Sequence, residues 1–144
     1  MKRGKPGRAG SAETAKVVSE QAEEMTSRVL GAAIAVHREL GPGFIESVYH
    51  RAMELELHRR GIPFESEVEC EVRYRGITVG RHRFDLVACG GVLVELKAVQ
   101  FLDAVHFSQV RSYLEASRLT VGLLLNFAAP TLVIRRVVAH RHTS

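Results

Sequence analysis

Asp85, Glu95 and Lys97 are the residues of this chain whose types and spacing point to chemistry. Glu95 and Lys97 interrupt an otherwise aliphatic run, Val92-Leu93-Val94-Glu95-Leu96-Lys97-Ala98. Such a run reads as a central strand, where a charge is costly to bury without compensation. Residues two apart in a strand share a face, so the carboxylate and the ammonium point the same way. Asp85 lies in the preceding run, His82-Arg83-Phe84-Asp85-Leu86-Val87, and Gly90-Gly91 predicts a tight hairpin turn between the two. Asp85 and Glu95 stand symmetrically about that turn and can face each other on adjacent strands. Two carboxylates at that distance repel, and a divalent cation bound by hard oxygen ligands relieves the repulsion. Mg²⁺ or Mn²⁺ held there would polarise a phosphoryl oxygen and lower the pKa of a water. Lys97 would orient or help deprotonate that water, or stabilise charge developing on phosphate. The competing explanation is a plain Glu95–Lys97 salt bridge on a solvent-facing strand edge.

The elements that must position these residues follow from periodicity. Val29, Leu30, Ala33, Ile34 and His37 recur at helical spacing, which predicts a first helix over about 27–40, capped by Thr26 or Ser27 and stopped by Gly41-Pro42-Gly43. A second helix is predicted over about 45–60, ending at Gly61-Ile62-Pro63. The pattern then alternates: Phe64, Ser66, Val68, Cys70, Val72 and Tyr74 against Glu65, Glu67, Glu69, Glu71 and Arg73, a half-buried strand with an acidic outer face. Strands follow over about 77–88 and 92–98, then a helix over 104–117 and strands over 121–126 and 131–138. The order ααβββαββ is an α+β, or mixed α/β, plan around one sheet. Residues 1–24 are rich in Gly, Ser, Ala, Lys and Glu and read as a disordered basic tail, 25–140 as the domain and 141–144 as a second tail.

Bulk composition narrows the class. With 144 residues, 46% apolar and 25% charged, the chain can build one ordinary globular core. A net charge of +4 permits contact with nucleic acid. Cys70 and Cys89 have neither disulfide-framework nor zinc spacing and are expected to be buried reduced thiols. No apolar run reaches the roughly 20 residues needed to span a bilayer, and no hydrophobic segment follows the basic start, so a cytoplasmic protein without membrane contact is expected.

Several motifs carry a resemblance. Asp85 followed by Glu95-Leu96-Lys97 resembles the D…(D/E)xK signature of the PD-(D/E)XK nuclease superfamily. Val36-His37-Arg38-Glu39-Leu40-Gly41-Pro42-Gly43-Phe44-Ile45-Glu46-Ser47-Val48-Tyr49 resembles the opening of the bacterial GxxExxY family, with Gly43, Glu46 and Tyr49 at its namesake positions. Gln109-Val110-Arg111-Ser112-Tyr113 looks like the QxxxY motif of RecB-type nucleases. Gly122-Leu123-Leu124-Leu125-Asn126-Phe127 and Ile134-Arg135-Arg136 resemble the family's closing strands. The likeness spans about residues 26–138. It implies a restriction-endonuclease-like αβββαβ core, with the first helix and last strand as additions. It also implies a catalytic set of Asp85, Glu95, Lys97, Glu46, Gln109 and Tyr113. Asp85, Glu95 and Glu46 would be carboxylate ligands of Mg²⁺ or Mn²⁺, with the Leu96 carbonyl as a further oxygen.

Each outer residue also has a structural explanation. Tyr49 and Tyr113 suit core aromatics with tethered hydroxyls. Gln109 suits a loop hydrogen bond, and His37 a helix-packing role. His106 suits either role, and His140 and His142 suit a tail. Three functions compete on this reading. The leading one is a metal-dependent nuclease acting on DNA or RNA. The others are a nuclease-fold module that binds nucleic acid or a protein without turnover, and a hydrolase of smaller phosphate esters. A homodimer is compatible with the sequence.

Overall fold

Helical spacing before Gly41 and alternation after Pro63 become two helices followed by a sheet. The computed structural model describes residues 7–139, with side chains from Glu20 onward. Its elements are α1 (Gly7–Leu40), α2 (Glu46–Arg59), β1 (Phe64–Tyr74), β2 (Ile77–Ala88), β3 (Val92–Lys97), α3 (Ala104–Ser117), β4 (Val121–Asn126) and β5 (Val133–Val138). The five strands form one sheet in the order β1-β2-β3-β4-β5. β3 and β4 are parallel, joined through α3, and the other neighbours are antiparallel.

Two apolar layers sandwich the sheet. Val29, Ala33 and Val36 of α1 and Tyr49, Met53 and Leu57 of α2 pack on one face, against Leu86, Val94, Leu96, Leu123 and Leu125. Val110 and Leu114 of α3 pack on the other, against Phe84, Val87, Leu93, Leu124 and Val137. β4 is buried along its whole length, as its unbroken apolar run requires. Gly122 lets α3 come close: a Cβ there would stand 2.9 Å from Val110 Cγ1.

α1 differs from expectation. It reaches back to Gly7, through residues read from sequence as a tail. That stretch carries few large apolar side chains but four Ala and four Glu, which favour helix without needing burial. Thr26 is therefore not a cap but an interior residue, its hydroxyl donating back to Ala22 O at 2.8 Å. The basic residues before Gly7, and His140 and His142, lie outside the described residues. Cys70 is buried, but Cys89 is only half-buried, because it sits in the β2–β3 turn. The last strand starts at Val133 rather than Thr131.

One irregularity matters for the site. β1 and β2 keep one register from Phe64↔Ala88 to Val72↔Gly80, except that Glu67 and Asp85 do not pair, and Glu67 has φ 54°. Phe64 and Leu86, on one side of this point, pack on the α1/α2 layer. Val68, Cys70 and Phe84, of the same parity on the other side, pack on the α3 layer. The β1–β2 ribbon turns over at Glu67 and Asp85.

Candidate functional site

The β2–β3 hairpin sets the geometry. Its turn centres on Cys89 and Gly90, with φ of 54° and 67°, one residue earlier than Gly90-Gly91. The ladder runs Ala88↔Val92, Val87↔Leu93, Leu86↔Val94 and stops. Asp85 and Glu95 would form the next pair. Instead the Asp85 carboxylate takes the ladder's place, Oδ2 accepting from Leu96 N–H at 2.7 Å. β3 continues alone beside β4, with Lys97 opposite Asn126.

Glu95 is buried, 6% exposed. Burial, then the charge of Asp85 and a hydrogen bond shared with it, push its carboxyl up to about 9, against the opposing pull of Lys97. The metal-free pair therefore holds a proton at neutral pH. His82 closes the other side: its Nε2 lies 3.3 Å from Glu95 Oε1. The imidazole stacks flat on Tyr113, centroids 3.7 Å apart and 5° from parallel. Burial holds its pKa below the usual histidine value, and Lys97 adds to that while Asp85 opposes it.

Glu46 opens α2 in its first turn. It is exposed, yet enough protein surrounds its carboxyl for desolvation to raise its pKa. Asp85 adds to the rise, and Lys97, His106 and His50 counter it. Those influences reach Glu46 from β2, β3 and the start of α3. The turn before Glu46 is held by Tyr49, whose hydroxyl donates to Gly41 O at 2.6 Å and accepts from Phe44 N–H at 3.2 Å. Gly43, at φ 113°, occupies backbone space that a side chain would disfavour. Tyr49 itself is fully buried and stacks on Phe127 at 4.6 Å. Phe127 N–H in turn donates to Lys97 O at 2.9 Å. The tyrosine is thus a core residue with a tethered hydroxyl.

α3 begins at Asp103, which caps it by accepting from Val105 N–H at 3.0 Å. His106 returns the bond, Nδ1 accepting from Asp103 N–H at 3.1 Å. Gln109 is exposed on α3, and Tyr113, one turn on, is the residue that reaches the carboxylates, through His82. His37 is buried and bonds Ala129 O at 2.9 Å, a packing role.

The structure thus gathers Asp85, Glu95 and Lys97, with Glu46 nearby, and leaves Gln109 at the periphery. His82 escaped the sequence reading. Strict alternation from Val87 would turn His82 away from α3, and only the turn-over at Glu67 and Asp85 brings it back. Among the described residues no group of three His, Cys, Asp or Glu is close enough to hold a metal ion by itself. The touching Asp85–Glu95 pair nonetheless has the donor chemistry of a divalent-cation site: two hard oxygens whose repulsion is relieved by a shared proton and equally by a cation. Leu96 O would add a third oxygen, and Glu46 a fourth through water.

A raised folded-state pKa makes a stability prediction. Glu95 binds its proton more tightly folded than unfolded, where its value is near 4.5. Its contribution is therefore complete below about 4.5 and is lost as pH rises towards 9. Metal-free wild type should lose thermal stability across that window. Glu95→Gln, which mimics the protonated acid, should retain the Tm at neutral pH and flatten the profile. Calorimetric melts of both proteins decide it; parallel Tm profiles would show that Glu95 does not carry this proton.

No curated protein sequence matches this chain. Among solved structures the chain is similar to the crystal structure of SSO0001, with TM-score 0.53 and 18% sequence identity over 67% of this chain and 50% of that one. It thus spans half the length of that protein, and the likeness concerns the fold alone. No described helix is long and apolar enough to cross a membrane. A family model for the PD-(D/E)XK nuclease superfamily matches residues 23–137 of the 144, and the chain belongs to that superfamily.

Proposed function

We propose that this protein is a divalent-metal-dependent nuclease of the GxxExxY type, hydrolysing nucleic-acid phosphodiester bonds, with residues 25–140 as its functional unit. The observation that carries the reading is the contact of the Asp85 and Glu95 carboxylates at the open end of the β2–β3 ladder, with Lys97 next on the same strand. Asp85 and Glu95 would hold Mg²⁺ or Mn²⁺, assisted by the Leu96 carbonyl and, through water, by Glu46. When bound, the cation supplies polarisation of a phosphoryl oxygen and a more acidic water. Lys97 orients the attacking water and stabilises negative charge on the phosphate. His82, braced by Tyr113, holds the Glu95 carboxyl in place, and Gln109 offers an exposed amide to the substrate backbone.

The test has two arms. Calorimetry with Mn²⁺ should show binding to wild type and a loss of tenfold or more in Asp85→Asn, on the scale of a lost charged ligand; equal affinities reject the metal site. Labelled single- and double-stranded DNA and RNA should be cut in Mg²⁺ or Mn²⁺ by wild type. One observation favours a second reading, a module that binds nucleic acid without turnover: no three-ligand cage is assembled among the described residues. Mn²⁺ binding without cleavage of any form would make that reading the better one.

A further inference from the structure

Four of the nine large apolar side chains exposed among the described residues stand at the ends of elements that meet at the carboxylates: Phe44, Ile45, Phe101 and Val105, at 46, 71, 76 and 54% exposure. Scattered single apolar residues on a surface need no explanation, but Phe44 and the segment that carries Phe101 are held in place by named contacts. Phe44 packs edge-on against Tyr49, centroids 6.1 Å apart. Tyr49 stacks on Phe127, which is hydrogen-bonded to Lys97. Phe44 is therefore joined to Lys97 by an unbroken chain of contacts. Ile45 immediately precedes Glu46.

Phe101 is displayed by a segment pinned at both ends. Asn126, buried at the end of β4, accepts from Val99 N–H at 3.1 Å and donates to Val99 O at 2.8 Å. Two residues beyond Phe101, Asp103 and His106 lock the start of α3 with their reciprocal bonds. Val105 sits in that first turn, next to His106. A phenyl ring 76% exposed on a segment so fixed by hydrogen bonds, four residues after Lys97, is suited to receive a flat apolar face.

We infer that Phe44 and Phe101 are stacking platforms that select single-stranded, unstacked nucleic acid for the site. The inference rests on the nuclease reading and names its substrate class. Bases in a duplex bury their faces against one another and offer neighbours only edges and phosphates, whereas unpaired bases stack readily on aromatic rings. Charge favours a single strand as well. Lys97 can meet one phosphate backbone, but the exposed Glu67 stands at the register position facing Asp85; farther along β1, Glu69 and Glu71 are paired with Arg81 and Arg73 and add no free charge. A second backbone on that side would meet the Glu67 carboxylate.

Fluorescence anisotropy with short labelled oligonucleotides in EDTA tests this without strand loss. Wild type should bind single strands more tightly than the matching duplex, and abasic strands no better than the duplex. Phe101→Ala should weaken single-strand binding by about tenfold, the scale of one base–aromatic stack, and Phe44→Ala/Phe101→Ala by about a hundredfold, while duplex binding changes little. Phe101→Leu should not restore affinity, which separates stacking from simple apolar contact. Circular dichroism melts check that the variants fold. Unchanged single-strand affinity in Phe101→Ala, equal affinity for abasic strands, tighter duplex binding or no binding at all would each overturn the inference. Cleavage in Mg²⁺ that ignores Phe44 and Phe101 would sink the stacking role while leaving the nuclease reading intact; absence of cleavage with stacking-dependent binding would do the reverse.

Discussion

Lys97→Ala should lower the rate of phosphodiester cleavage by a factor on the order of 10² or more, as for a lost electrostatic or general-base contact. Lys97 lies two residues beyond Glu95 on β3, and its charge acts on Glu95, Glu46 and His82 alike. On the nuclease reading it would serve the attacking water or the phosphate without being a ligand of the cation. Removing it should therefore leave Mn²⁺ affinity unchanged or slightly raised, because a nearby positive charge is gone. Lys97→Arg should not rescue turnover, since guanidinium stays protonated and differs in shape. Single-turnover cleavage and Mn²⁺ titration on the same preparations separate the two effects. Wild-type cleavage matched by Lys97→Ala would refute this role for the lysine, whatever the fold.

Tyr49→Ala should cost about 3–5 kcal/mol of folding stability, the range for deleting a fully buried aromatic. Tyr49→Phe should cost about 1–2 kcal/mol, since it removes only the hydroxyl. Tyr49 fills the interface between α2 and the end of β4 through its stack on Phe127, and its hydroxyl ties down the turn between Gly41 and Phe44. Equilibrium denaturation measures both. A loss below about 1 kcal/mol for Tyr49→Ala would mean that the interface repacks, contrary to the close packing of protein cores. Because the same turn launches Glu46, Tyr49→Phe should also disturb cleavage more than its small stability loss suggests.

Much of this was legible in the sequence for identifiable reasons. Alternation from Phe64 to Tyr74, the apolar run from Val121 to Asn126 and the pattern from Ala104 to Ser117 mark elements whose observed limits coincide with those expected. The approach of Asp85 to Glu95 was legible because a hairpin turn brings residues equidistant from its centre face to face. What escaped was non-local or locally ambiguous. The early start of α1 reflects helix propensity without an apolar stripe, which periodicity does not register. The turn centres one residue early because Cys89 adopts a left-handed conformation usually left to glycine or asparagine. His82 lay hidden because alternation assumes a regular strand, and the pairing defect opposite Glu67 breaks that assumption.

The way the ladder ends also bears on the order in which the protein folds. The bond from Leu96 to Asp85 closes a loop of 11 residues within one hairpin, whereas the clasp of Val99 by Asn126 spans 27 and requires α3 to have crossed over. Shorter closures cost less chain entropy and form sooner. The two carboxylates should therefore meet in an early hairpin, held together by their proton, while the end of β3 that carries Lys97 gains its support only when β4 docks. Amide hydrogen exchange would resolve the two steps as separate protection of Leu96 and Val99. A nascent chain would then hold its acidic pair before the lysine end is braced, so the complete constellation would be a property of the finished fold alone.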